Sequence, residues 1–237
     1  MIPLRDSIPS SRTPSLNYLI IIINVVIFFL EISLGRSQLE QVVMTFGFVP
    51  QRFLNQLRDG NVVASFVPVF TSMFLHGGWL HLIGNMWTLF IFGDNIEDTF
   101  GHGRFLLFYL SCGVVAALAQ LAVAPHSSMP MVGASGAIAG IMGAYFTLFP
   151  HARVLTLVPI VFFVIIEIPA YVFLGLWFLL QFFSGTVAIG VSGAAEEIRG
   201  GVAFWAHIGG FATGFLVVLF FLRGGFLADR QRQSRRA

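Results

Sequence analysis

The chain contains no lysine, a single cysteine and few charges of either sign. Each scarcity removes a class of protein. Charged residues fill 10% of its 237 positions, against roughly 25% in a soluble domain. Too few polar groups are left to cover a surface in water. One cysteine, Cys112, closes no disulfide within the chain, and its apolar neighbours mark it as a buried, inert thiol. With lysine absent, all thirteen basic side chains are arginines, and five of them lie from Arg223 onward. Beside an apolar helix such a cluster reads as a cytoplasmic anchor, so no nucleic acid is expected as a partner.

What is present is apolar: 57% of the residues are hydrophobic. The lipid bilayer is the natural solvent for such a chain, and about 20 apolar residues suffice per spanning helix. The expected fold is all-α, a polytopic membrane protein with a six-transmembrane-helix bundle. A polar N-terminal arm, 1–15, precedes a membrane domain over 16–222, and a basic tail follows over 223–237. The spans fall at 16–34, 79–96, 104–124, 135–149, 168–184 and 204–222. Glu31 ends the first apolar run with no small-residue cleavage site after it, so this helix is expected to be retained. Residues 35–75 mix apolar and charged side chains and read as an ordered amphipathic loop at the membrane surface. Residues 154–166 are expected to form an interfacial or re-entrant segment, and 185–203 a glycine-rich loop.

Six spans put both termini on one side, and nine arginines then lie on that side against four on the other. The positive-inside rule places the termini in the cytoplasm. An integral, multi-pass protein of a bacterial inner membrane fits this composition.

Polar groups inside a bilayer are costly and mark function by default. Ser135 follows Gly133 and Ala134 and opens the fourth span, where free backbone N–H groups and the positive end of the helix dipole gather. That setting suits an oxyanion formed by attack on a carbonyl. Fifteen residues reach roughly 22 Å in a hydrocarbon core of about 30 Å. If Pro150 marks the cytoplasmic boundary, Ser135 lies about 8 Å below the outer surface, a depth that calls for a water-filled cavity. His207 enters the sixth span from the same side, about one turn in. Gly136 and Gly140 on one helix, and Gly210 and Gly214 on the other, offer small faces for close contact. A Ser135–His207 pair would then have nucleophile and general base within reach. His81 and Asn85, four apart, share one helix face in the outer half of the second span and supply donors for an oxyanion. Asp94, Glu97 and Asp98 read as a solvated helix end, and the tryptophans as interface anchors. His76 and His81, five apart, suit no common helical face, so no metal or other cofactor is expected.

Three blocks carry a resemblance: Phe74-Leu75-His76-Gly77-Gly78-Trp79-Leu80-His81-Leu82-Ile83-Gly84-Asn85, Gly133-Ala134-Ser135-Gly136 and Ala206-His207-Ile208-Gly209-Gly210. Together, and in this order, they resemble the signatures of the rhomboid family of intramembrane serine proteases, over roughly residues 40–222. The resemblance implies a six-helix core and a metal-free endopeptidase. It implies Ser135 as nucleophile, His207 as base, His81 and Asn85 at the oxyanion, and Gly133 as the glycine ahead of the serine. Single-span membrane proteins, cut near the outer end of the span, are the substrates it implies. A Trp-Arg pair that some bacterial members carry in the first loop is not found in 35–75. Two other functions remain to be weighed: a catalytically inactive rhomboid-like scaffold, whose relatives lack the serine or histidine that are both present here, and a small transporter, against whose proton coupling the lack of membrane-embedded acids near His81 and His207 speaks.

Overall fold

The computed structural model describes residues 1–159, 163–190 and 203–223. In chain order it holds β1 (Ile2–Asp6), α1 (Ser15–Ser33), α2 (Arg36–Phe46), α3 (Pro50–Arg58), α4 (Val62–Thr71), a 3-10 turn (Ser72–Phe74), α5 (Trp79–Phe100), α6 (His102–Val123), α7 (Ser135–Leu148), β2 (Arg153–Pro159), β3 (Phe163–Pro169), α8 (Ala170–Gly190) and α9 (Phe204–Arg223). The protein is mostly helical. α1, α6, α8 and α9 are each long and apolar enough to cross a membrane, while α5 meets that test only together with Val62–Phe74, from which it turns by 84°.

α7 is the hub. Every residue from Gly136 to Tyr145 is buried, and α9, α6, α5 and α8 all pack on it. Its contact with α9 is backbone to backbone. A methyl group on Gly210 would stand 2.0 Å from the Gly136 carbonyl oxygen, and one on Gly214 would stand 1.9 Å from that of Gly140. On the other side Cys112, fully buried in α6, fills the space left by Gly140. The glycines therefore set the helix spacing, and no side chain fits between these two axes.

Three segments depart from the sequence expectation. Residues 35–75 are not a loop but three short helices and a 3-10 turn. Arg52 of α3 donates to the C-terminal carbonyls of α2, among them Gly47 O at 2.6 Å, which satisfies groups a helix end leaves open. The expected interfacial or re-entrant stretch 154–166 instead supplies β2 and β3, an antiparallel pair in unbroken register from Arg153↔Pro169 to Pro159↔Phe163. The reason is local: Val154, Thr156, Val158, Val164, Ile165, Ile166 and Ile168 are β-branched, and such side chains favour a pleated strand. The all-α expectation thus gains a three-stranded sheet, ordered β1-β2-β3.

The polar N-terminal arm, 1–15, is the third departure. β1 adds to the edge of β2, and Ser10 and Ser11 donate to Asp94 and Asp98 at the end of α5. The acidic group there is not a solvated helix end. Glu97 is buried and accepts the Leu16 and Asn17 backbone N–H groups at 3.0 and 2.7 Å, capping the first turn of α1 from another helix. Glu31, at the far end of α1, is also buried and accepts the His76 backbone N–H. The helix expected at 168–184 is α8, which starts at Ala170, because Ile168 and Pro169 end β3, and runs to Gly190. The remainder of the glycine-rich loop and most of the basic tail lie outside the described residues.

Candidate active site

Ser135 is the first residue of α7, and Gly133 sets its approach. Gly133 has φ +119°, a conformation open to glycine. Its N–H donates to Ser72 O at 2.8 Å. A side chain here would meet His81 Nε2 at 2.6 Å and Asn85 Nδ2 at 3.4 Å. Both residues of α5 are therefore pressed against the turn that carries the serine, and only a glycine leaves them room.

His207 comes from α9. The glycine contacts between α7 and α9 fix its distance, and its Nε2 lies 2.8 Å from Ser135 Oγ. On the other edge of the ring, Nδ1 lies 2.8 Å from Gln181 Oε1 on α8. An amide oxygen only accepts, so Nδ1 carries the proton and Nε2 presents its lone pair to the serine. Trp177, one helical turn before Gln181, packs its ring on the imidazole, with centroids 5.8 Å apart.

His81 and Asn85 complete the arrangement. His81 Nδ1 accepts the Gly77 N–H at 3.4 Å, which leaves the proton on Nε2, the atom facing Gly133. Asn85 is buried, and its Nδ2 has no partner among the described residues. Both donors face Gly133, two residues before the serine, and line the same cavity as Ser135, whose N–H is free as first-turn amides are. A polar group left unpaired in such a place costs stability unless something else fills its hydrogen bond. A developing oxyanion would do so.

These groups line one cavity of about 750 Å³. It runs past α5 and α8 at Thr88 and Phe173 and reaches Met1 and Pro3 of the N-terminal strand. The structure thus brings Ser135, His207, His81, Asn85, Gly133, Gly136 and Gly210 to one place. It adds two residues that the sequence reading passed over. Gln181 is the lone amide in the otherwise apolar run 170–183, and a polar group in a span was the signal available for it. Trp177 carried no signal distinguishing it from an interface anchor. His76 lies edge-on to His81, with ring centroids 5.2 Å apart.

The rhomboid domain family model matches residues 64–224, more than half of the chain. Among curated proteins, the chain is 35% identical over 132 residues to Rhomboid protease GluP of Bacillus subtilis, covering 55% of this chain and 24% of that protein. It is 29% identical over 190 residues to Rhomboid protein 1, mitochondrial, of Saccharomyces cerevisiae, covering 78% and 50%. It is 31% identical over 136 residues to Presenilin-associated rhomboid-like protein A, mitochondrial, of Danio rerio, covering 54% and 36%. The chain thus spans half or less of the length of these relatives.

Proposed function

Because this chain belongs to the rhomboid family, we propose that it is an intramembrane serine endopeptidase acting through a Ser135–His207 dyad oriented by Gln181. The observation that carries the reading is the 2.8 Å contact of Ser135 Oγ with His207 Nε2, with the opposite ring nitrogen held by an acceptor.

His207 Nε2 takes the Ser135 proton as Oγ attacks the peptide carbonyl. The carbonyl electrons move to oxygen, and the oxyanion accepts from the Ser135 N–H, His81 Nε2–H and Asn85 Nδ2–H. Collapse breaks the C–N bond, and the imidazolium returns its proton to the leaving amine. Water, deprotonated by the same nitrogen, then hydrolyses the seryl ester. Throughout, Gln181 Oε1 holds the Nδ1–H and strengthens its hold when the ring is cationic.

The reading includes six spans: α1, α5, α6, the short α7, α8 and α9. The first turn of α1 and the last turn of α9 then face the cytoplasm of a bacterial inner membrane, with β1 reaching back into the bundle, and Ser135 lies below the outer face. Substrates are single-span membrane proteins cut near the outer end of their span. The test is cleavage of a model single-span substrate in liposomes by wild type, Ser135→Ala and His207→Ala. Loss in both variants with folding intact supports the dyad. If none of the three cleaves, labelling by a serine-reactive fluorophosphonate decides, and a protein that takes no label is a scaffold instead.

A further inference from the structure

The catalytic cavity does not end at the catalytic residues. α5 and α8 each pack on α7 and meet each other at Phe92 and Phe173, with β1 lying on α5 and β2 and β3 on α8. Met1 and Pro3 line the same cavity as Ser135 and His207. From there β1 runs toward the Pro150 end of α7, where Asp6 accepts the Tyr145 hydroxyl hydrogen bond. A strand of this chain therefore occupies the path between the serine and the opposite end of the helix bundle.

β1 is held unevenly. β2 and β3 pair residue for residue along their length, whereas the β1–β2 register slips between Pro3 and Arg5. Pro3 brings no N–H to the ladder, which suits an edge strand and weakens it. Its carbonyl turns away to α5, where the Trp87 indole N–H donates at 2.6 Å. More bonds hold the other end: Asp6 accepts from the Tyr145 hydroxyl, the Ser7 hydroxyl accepts from the Arg153 N–H, and Ser10 donates to Asp94. No β1 side chain is fully buried, while Val154 and Thr156 of β2 are wholly so. β2 belongs to the core, while the Met1 end of β1 is held by its pairing with Leu157 and Thr156 and by the Trp87 bond.

We infer that the β1-bearing edge of β2 is a substrate-binding edge, and that the extended segment following the scissile bond displaces the Met1 end of β1 to pair there. The inference rests on the protease reading above. Its occupant is an apolar, extended chain in one orientation. A substrate whose N-terminal side lies at the Ser135 end runs downward from the scissile bond with the polarity of β1, antiparallel to β2. Main-chain hydrogen bonds supply affinity, as in other strand additions, and a proline in the paired stretch opposes it.

Ile2 and Leu157 are direct partners across the ladder, a separation a disulfide accepts. An Ile2→Cys, Leu157→Cys protein is oxidised in liposomes and compared with its reduced form. Cleavage of a single-span substrate should fall about tenfold or more on locking, because the open population is removed. It should return on reduction, with fluorophosphonate labelling of Ser135 unchanged. Equal cleavage by the locked and reduced forms overturns the inference. If neither form takes the label, the protease reading has failed instead. A second measurement does not depend on the lock. A Leu157→Cys, Ser135→Ala protein should form a disulfide with substrates carrying single cysteines after the scissile bond and none with cysteines before it. Adducts on neither side, or on both sides equally, also overturn it.

Discussion

Replacing Gln181 with leucine tests the proposed dyad at the residue that orients it. Leucine is close to glutamine in length and keeps the packing of α8 on α9, but it offers Nδ1 no acceptor. Two consequences follow. In the resting state a buried N–H is left unpaired, or the proton moves to Nε2 and the ring faces Ser135 with a donor in place of a lone pair. In the transition state the imidazolium loses a charge-assisted hydrogen bond, a contact of about 1.5–3 kcal/mol. That range corresponds to roughly 10–150-fold in kcat. KM for a single-span substrate should stay near the wild-type value, because Gln181 acts through His207. Labelling of Ser135 by a fluorophosphonate, which needs the same deprotonated serine, should slow by a similar factor. The assay is initial-rate cleavage in liposomes paired with the labelling time course. A Gln181→Leu protein that keeps kcat and labelling within about twofold of wild type, well inside that range, refutes the role assigned to the amide.

Gly210→Ala should drive a methyl group into the Gly136 carbonyl and destabilise the protein by about 1–3 kcal/mol or more. Thermal melting in detergent checks this, with Gly103→Ala, whose added methyl meets nothing within 4 Å, as the neutral comparison. Glu31→Leu leaves the buried His76 N–H without its acceptor at a cost of about 1–3 kcal/mol, read in the same melt. Asp6 is held at a pKa of about 6, above its ordinary 3.8, because burial outweighs the Tyr145 hydrogen bond and Asp94 adds repulsion. A raised carboxyl stabilises the fold below its unfolded value and loses that contribution as pH rises through the folded one. Wild type should therefore lose stability relative to Asp6→Asn between about pH 4 and 6. Parallel melting curves across that window would rule the linkage out.

The parts legible in the sequence were those with a period or a spacing. Long apolar runs gave α1, α6 and α9. His81 and Asn85 share a face by helical arithmetic, and the glycines of α7 and α9 announced a close contact. What stayed hidden depended on partners far along the chain. Gln181 acquires meaning only when α8 turns it toward His207. Glu97 looked solvated because nothing local said that Leu16 and Asn17 would bring their N–H groups to it. The hairpin of β2 and β3 was obscured by its own hydrophobicity: an apolar strand and a membrane segment share the same composition, and the β-branched residues were the discriminating sign. β1 carried the weakest signal, since an edge strand with a proline looks like an arm until the sheet it joins is known.

The carboxylate that caps α1 stands 80 residues later in the chain, and this separation has a consequence for biogenesis. When α1 leaves the ribosome and enters the bilayer, Glu97 has not yet been synthesised, so water alone serves the open amides of its first turn. The cap forms only after α5 has been made and has brought its C-terminal end alongside α1. Locking α1 against α5 is therefore a late event in assembly, and a chain arrested before Glu97 would hold its first helix without the contact that caps it.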